Sequence, residues 1–167
     1  MREATASFTL MADHILRARI ADAVVEALSP LPVVLAGWEG GSSAFGLVDS
    51  YSDIDLEFLV TDDASFEDLY ASAENALEAV SPIAAVHSPA SGRYYQLKDA
   101  SKFLLVDMVF HRLRDPDHHL DAGRHGERVP LFDKGDWLRS GLPGLQTGTR
   151  SPGNGVHAFE SFRRGSP

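Results

Sequence analysis

The alternation of residues 53–60 is the feature that most constrains the fold of this chain. Apolar side chains take every second position, and acids take most of the positions between them. The first set is Ile54, Leu56, Phe58 and Val60, and the second is Asp53, Asp55, Glu57 and Leu59. A period of two places successive side chains on opposite faces of an extended strand. The segment is therefore predicted to be a strand with one face packed on a core and the other lined with carboxylates.

Two helices are predicted around this strand. Residues 12–28 carry apolar side chains at three- and four-residue intervals, which is typical of a helix packed on a core. Residues 66–80 repeat this pattern after Ser65 and Asp68, a pair spaced as in a capping box. A serine–proline pair follows each helix and ends it.

Five further segments have the character of strands. Residues 32–38 are a short, apolar, valine-rich run. The segments at residues 83–87, 93–98 and 102–111 are separated by turn-forming residues and predict an antiparallel meander, and residues 129–132 predict an edge strand. The order of elements predicts an α/β (α+β) fold, a mixed β-sheet with helices mainly on one face.

Length and composition indicate one domain followed by a tail. A chain of 167 residues can build one well-packed core and is short for two. Gly, Pro, Ser, Thr and Arg dominate residues 140–167, and this composition offers too little apolar surface to offset chain entropy. We therefore expect a core domain at residues 1–139 and a disordered tail at residues 140–167.

Charge and composition exclude several classes of function. The net charge is −9 and the 15 Lys and Arg residues are dispersed, so an extended interface with DNA or RNA is not expected. The absence of cysteine excludes disulfides and thiolate metal sites. No apolar run approaches the roughly 20 residues of a membrane-spanning helix, and the amino terminus lacks the apolar stretch of a secretory signal. We expect a cytoplasmic protein without a membrane partner.

Asp53 and Asp55 indicate metal binding. Residues two apart on a strand project from the same face with Cα atoms about 6.5–7 Å apart, so two carboxylates can converge on one ion or bracket a pair. Magnesium takes one or two protein carboxylates and completes its shell with water and phosphate oxygens. Two such ions can stabilise the attacking and the leaving oxygen of an in-line displacement. An isolated Asp-x-Asp is more often a solvated strand face, so this interpretation depends on the surrounding residues.

Glycine and serine residues upstream supply that context. Gly40 and Gly41 let the backbone turn sharply and approach a phosphate, and Ser42 or Ser43 would begin a short helix whose free N–H groups attract anions. Ser42 would serve as N-cap of this helix in the free protein and contact phosphate in the complex. An ordinary strand-to-helix turn with a serine cap is the alternative.

Asp107 is the third candidate carboxylate. It lies in the apolar run at residues 103–110, where an unpaired charge is costly and a metal or a cationic partner would offset that cost. If the sheet sets this strand beside the acidic strand, three acids meet, and Asp107 is also placed to accept the proton of an attacking hydroxyl. A buried salt bridge to Arg93, Lys98 or Lys102 is the alternative.

Other notable side chains have ordinary explanations. His118 and His119, with His111 and His125 nearby, raise the question of zinc, but the lack of tight ligand spacing favours surface or loop histidines. Trp38 is expected in the core rather than stacked on a base.

The glycine–serine turn and the acidic strand resemble the nucleotidyltransferases of the DNA polymerase beta superfamily, in particular the aminoglycoside adenylyltransferase-like members. The matching positions are Gly41, Ser42, Gly46 and residues 52–56. The likeness covers residues 33–110. Residues 129–135 are similar to a segment that follows the core in bacterial adenylyltransferase-like members.

The resemblance implies an enzyme that transfers a nucleotide. It assigns Gly41, Ser42 and Ser43 to the nucleotide phosphates, and Asp53, Asp55 and Asp107 to catalysis and to a two-ion magnesium site. An acceptor hydroxyl would attack the α-phosphate of ATP or another nucleoside triphosphate and release pyrophosphate. The implied acceptor is a small molecule of the aminoglycoside type.

Two alternatives stay open because antibiotic-modifying members generally carry a helical domain after the core, which residues 140–167 do not resemble. One is a minimal nucleotidyltransferase of a two-component, toxin–antitoxin-like pair, in which the partner protein is the acceptor. The other is a non-catalytic nucleotide-binding module, which the presence of all three acids disfavours. A homodimer that completes the acceptor site is a further arrangement compatible with the sequence.

Overall fold

The structure of the protein, a computed structural model, describes residues 2–49 and 51–140. Its helices are α1 (Arg2–Leu28), α2 (Gly41–Ala44), α3 (Phe66–Val80), α4 (Ala122–His125) and α5 (Trp137–Ser140). Its strands are β1 (Val34–Glu39), β2 (Ile54–Val60), β3 (Ile83–His87), β4 (Arg93–Leu97), β5 (Leu105–Arg112) and β6 (Val129–Asp133). The predicted tail lies outside the described residues from residue 141 onward, so the division at residue 139 stays a prediction.

Six strands form one mixed sheet in the order β3-β4-β5-β2-β1-β6. β2 and β5 pair in parallel, whereas the other neighbours pair antiparallel. A parallel pair requires a crossover connection, which α3 and the β3–β4 hairpin provide here. β3, β4 and β5 form the predicted meander, and β6 lies at the predicted edge. The prediction of a mixed sheet is confirmed.

The apolar face of β2 lies in the larger of two cores. Leu56 and Phe58 are fully buried there, together with Val24 of α1 and Leu77 of α3. Full burial of a side chain of this size stabilises the fold by about 1.5–3 kcal/mol relative to leaving it exposed. The two long helices pack against each other over this face. The prediction of helices mainly on one face is therefore confirmed.

The opposite face of the sheet carries a smaller core. Trp38 of β1 and Leu59 of β2 are buried there beneath Leu138 of α5. The Trp38 ring stacks on His111, with ring centroids 5.7 Å apart. Trp38 thus packs in the core, as expected. By the alternation of β2, the acidic side chains share this second face.

One predicted helix boundary agrees with the structure and another does not. At α3, the Ser65 side chain accepts a hydrogen bond from the N–H of Asp68 at 3.4 Å, which confirms the predicted cap. α1 begins at Arg2, ahead of the predicted start at residue 12. In the described part of the chain, no helix combines the length and the apolar character that crossing a membrane requires. The cytoplasmic location stays a prediction.

Candidate active site

The parallel pair β2–β5 places two of the three predicted acids side by side. Its register sets Asp55 opposite Asp107. Asp53 precedes β2, and its Oδ1 accepts a hydrogen bond from the N–H of Leu105 at 3.4 Å. Among the described residues, two histidine-containing groups have ligand atoms that all lie within 4.8 Å of one another. The three aspartates do not form such a group. The structure therefore pairs Asp55 with Asp107 across the parallel strands and ties Asp53 to the start of β5.

Burial and mutual repulsion perturb both central carboxylates. Burial, followed by the charges of Asp53 and Glu57, raises the pKa of Asp55. Burial, followed by the charge of Asp55, raises the pKa of Asp107 to about 6. Tyr94, which faces Asp107 across the β4–β5 pair, acts in the opposite direction and lowers this pKa. The Oδ1 atom of Asp107 is buried without a hydrogen-bond partner. A pair of crowded carboxylates with an unpaired oxygen is a favourable place for a cation.

The salt-bridge alternative for Asp107 has no support in the described contacts. Arg93 instead pairs with Glu67 and Glu74, at 2.6 and 2.9 Å. Its guanidinium carbon also lies 4.1 Å from the centroid of the Tyr70 ring. Among residues 2–49 and 51–140, no ion pair joins Asp107 to a lysine or arginine.

The glycine turn lies directly against the acids. The N–H of Gly40 donates to the backbone carbonyl of Asp55 at 2.9 Å. Gly41 has a φ of +52°, and a Cβ at this position would collide with the carboxylate of Asp55. A Cβ at Gly40 would lie 2.5 Å from Oε1 of Glu57. The position of Gly41 therefore favours glycine for its left-handed backbone as well as its close approach, whereas at Gly40 a Cβ would displace the end of the Glu57 side chain.

The serines of α2 do not take the predicted capping role. The N-cap is Gly40, and no side chain caps this helix. The prediction of Ser42 as N-cap is wrong because the helix begins at Gly41, which places Ser42 inside its first turn. Ser42 Oγ is buried without a hydrogen-bond partner, and Ser43 Oγ donates to Oε1 of Glu39. Gly41 lines the cavity over the acids, whereas the two serines do not.

A cavity of about 300 Å³ opens over Asp55 and Asp107. This volume is at the lower end of the range for small-molecule sites. The wall also includes Phe45, Tyr94 and Arg124. The Arg124 guanidinium forms an ion pair with Oδ2 of Asp117 at 3.0 Å, and the Arg124 side chain is 64% exposed.

Histidines gather beside the acids; His118 and His119 lie in a loop as expected, whereas the expectation is wrong for His111. His111 lies in β5 rather than in a loop, and His111 and His118 are each 4% exposed. His111 Nε2 lies 2.7 Å and His119 Nδ1 lies 2.9 Å from Oε2 of Glu57. The sequence predicts part of this cluster, because Glu57 continues the acidic face of β2 and His111 shares the strand face of Asp107. The proximity of His119 was not encoded in any local pattern.

Arg17 of α1 also supports the site, and no motif in the sequence predicts this role. It donates hydrogen bonds to the backbone carbonyls of Ser52 and Asp53, at 2.6 and 2.9 Å. Its guanidinium also lies 3.4 Å from Oε1 of Glu39. Arg17 therefore fixes the backbone just before β2, where the acidic strand begins.

Comparison with known proteins does not assign the chain to a family. No family model matches it, and no curated protein matches it. Among solved structures it is similar to the Bradyrhizobium diazoefficiens CD-NTase CdnG in complex with GTP, with 18% sequence identity and a TM-score of 0.32. The match covers 74% of this chain and 45% of that chain, so this chain spans less than half the length of that structure. A likeness this weak carries no functional conclusion.

Proposed function

We propose that the chain is a magnesium-dependent nucleotidyltransferase. It transfers a nucleoside monophosphate, AMP from ATP as the first candidate, to a hydroxyl of a small acceptor of the aminoglycoside type. The observation that carries the proposal is the adjacent pair Asp55 and Asp107, with the Gly40–Gly41 turn packed against it. The resemblance in residues 33–110 supports the same reaction.

The residues at the site fit a magnesium ion. Asp55 and Asp107 offer carboxylate oxygens, the ligands that magnesium prefers, and one Asp107 oxygen has no other partner. The charge of Asp53 acts on both residues, so Asp53 is near enough to contribute to a second ion. Bound magnesium would neutralise the acids and the triphosphate and stabilise charge that develops on the phosphate oxygens.

In the proposed reaction, the acceptor oxygen forms a bond to the α-phosphorus while the bond from that phosphorus to the α–β bridging oxygen breaks. Pyrophosphate leaves with the electron pair of that bond. The hydroxyl proton passes to the Asp107 carboxylate, which lies beside Asp55 in the cavity wall. Gly41 and Arg124 line the cavity, so the Gly41 backbone would approach the phosphates and the Arg124 guanidinium would exchange Asp117 for a phosphate oxygen.

The test uses ATP labelled at the α- or the γ-phosphate, with magnesium and a panel of aminoglycosides. We expect the α-label on the acceptor and the γ-label in pyrophosphate. Asp55→Asn and Asp107→Asn should each reduce transfer by about 100-fold or more. Asp22→Asn, at an exposed position of α1, is the matched control and should retain full activity. Transfer of the γ-label would contradict the proposal, and ATP binding without transfer would support the non-catalytic alternative.

A partner protein is the second candidate acceptor. Phe45 in the cavity wall is 56% exposed, and Leu47 and Tyr51, which follow it in the chain, are 72% and 67% exposed. Exposed apolar side chains close to a site in the chain are candidates for a contact surface. This candidate predicts α-label on a protein, with Leu47→Ser reducing that labelling and leaving transfer to small acceptors intact. Labelling of small acceptors alone would contradict it.

A further inference from the structure

We infer that Glu57, His111 and His119 form a binding site for a divalent transition metal of the zinc class, distinct from the aspartates of the proposed transfer site. The inference is independent of nucleotide transfer.

The three donor atoms come from three parts of the chain that meet at one point. Glu57 lies in β2, His111 in β5, and His119 in the segment after β5. Their ligand atoms all lie within 4.8 Å of one another. Zinc bonds of about 2.0–2.2 Å would place the donors of a tetrahedral site about 3.3 Å apart. The two nitrogens now lie 2.7 and 2.9 Å from the carboxylate oxygen, so a small separation of the side chains would admit the ion.

The surrounding structure holds these donors in place. Glu57 and His111 are 8% and 4% exposed, and both lie on central strands of the sheet. Stacking on Trp38 further restricts the His111 ring. His119 has a φ of +54°, an uncommon backbone conformation for a residue other than glycine, and its N–H donates to Oδ1 of Asp117 at 2.9 Å. A strained backbone that presents a side chain to a cluster is typical of a functional position.

The donor chemistry selects the class of metal. One carboxylate oxygen and two imidazole nitrogens suit zinc and its neighbours in the first transition row, whereas magnesium prefers oxygen ligands alone. A neutral imidazole presents a lone pair at the contacting nitrogen when its proton lies on the other nitrogen. Three protein donors leave a further coordination position. Glu57 and His119 line the same cavity as Asp55 and Asp107, so this position can face the cavity.

A second group of potential ligands shares His119 with the first and consists of Asp117, His119 and His125. Its carboxylate is already engaged, because one Asp117 oxygen accepts from the His119 N–H and the other from Arg124. His125 stacks on His119 with ring centroids 4.5 Å apart, and its Nε2 is buried without a hydrogen-bond partner. The group that contains Glu57 is therefore the better site, with His125 as its neighbour.

The test titrates the full chain with zinc against a chromophoric chelator, after removal of bound metals and in excess magnesium to occupy oxygen-only sites. We expect one zinc ion per wild-type chain and at least about tenfold weaker binding in His119→Ala. His87→Ala, at an exposed position of β3, should stay within about twofold of the wild type, and Asp107→Asn should still bind one zinc ion per chain. Cobalt should give visible d–d bands typical of low coordination number, and His119→Ala should lose them.

Three outcomes would overturn the inference. Equal zinc affinity in wild type and His119→Ala would exclude the histidine as a ligand. Loss of zinc binding in Asp107→Asn would place the ion at the aspartates. Absence of stoichiometric binding in the wild type would show a hydrogen-bonded Glu–His network only. Circular dichroism checks that His119→Ala is folded, and if it is not, His119→Gln takes its place in the same comparison.

Discussion

Replacement of Asp107 by asparagine should stabilise the metal-free protein at neutral pH. Asparagine has nearly the same shape as aspartate but carries no charge. In the folded chain the Asp107 carboxylate is partly buried beside Asp55, and its Oδ1 atom lacks a partner. The variant removes this unfavourable charge while it abolishes the proposed transfer. Stability and activity should therefore change in opposite directions.

The magnitude follows from the raised pKa of Asp107, about 6 in the folded chain against an ordinary value of 3.8. The contribution of protonated Asp107 to the free energy of unfolding is fully present below pH 3.8 and is lost as the pH rises through about 6. At about 1.4 kcal/mol for each tenfold change in proton affinity, the total loss is about 3 kcal/mol. Solvent screening at this partly exposed side chain reduces the expected difference to about 1–3 kcal/mol.

Urea unfolding with a metal chelator, from about pH 4 to about pH 8, measures this difference. We expect Asp107→Asn to be more stable than the wild type at the upper end of the range and equal to it at the lower end. Added magnesium should stabilise the wild type and leave the variant unchanged, because a ligand of the folded state adds stability only where it binds. A variant less stable than the wild type at pH 8 in chelator would refute the reasoning, since it would mean that the carboxylate has a favourable partner.

Three further substitutions test the supports of the site. Gly41→Ala should abolish transfer because the added Cβ collides with the Asp55 carboxylate. The control Gly46→Ala has a φ of +65° and open space around it, so it should lose only about 1–2 kcal/mol of stability and keep activity. Equal activity in the two variants would argue against the close approach of Gly41 to Asp55. Arg17→Gln should lose about 1.5–3 kcal/mol in urea unfolding, and Arg19→Gln, at an exposed position of the same helix, almost nothing. Ser65→Ala should lose about 1 kcal/mol without any change in transfer, and an unaltered urea midpoint would contradict its capping role.

The sheet was largely predictable because its strongest signals are local. The period of two in residues 53–60 identifies β2, and the turn residues between the later segments identify the meander. The ends of the strands were less well predicted, because β5 begins at Leu105 rather than at residue 102. Side-chain alternation does not mark where pairing stops, and the hydrogen bonds that define a strand end depend on its neighbour.

The composition of the site was predictable only in part, for a different physical reason. Asp55 and Asp107 stand out as charges in apolar strands, so their sequence context signals them. Glu57 and His111 share those strand faces, but they come together only through the parallel register that sets β2 against β5. His119 approaches them through the path of an irregular segment, and no periodicity encodes such a path.

The parallel pairing of β2 and β5 also governs when the site comes into existence. The two strands are separated in the chain by a helix and a hairpin, so neither half contains an assembled pair of acids. Contacts between segments distant in the chain carry the largest loop-closure entropy and form slowly. A nascent chain that has emerged only through α3 therefore lacks the Asp55–Asp107 pair on which the proposed transfer depends, and this pair forms only when the central sheet is complete.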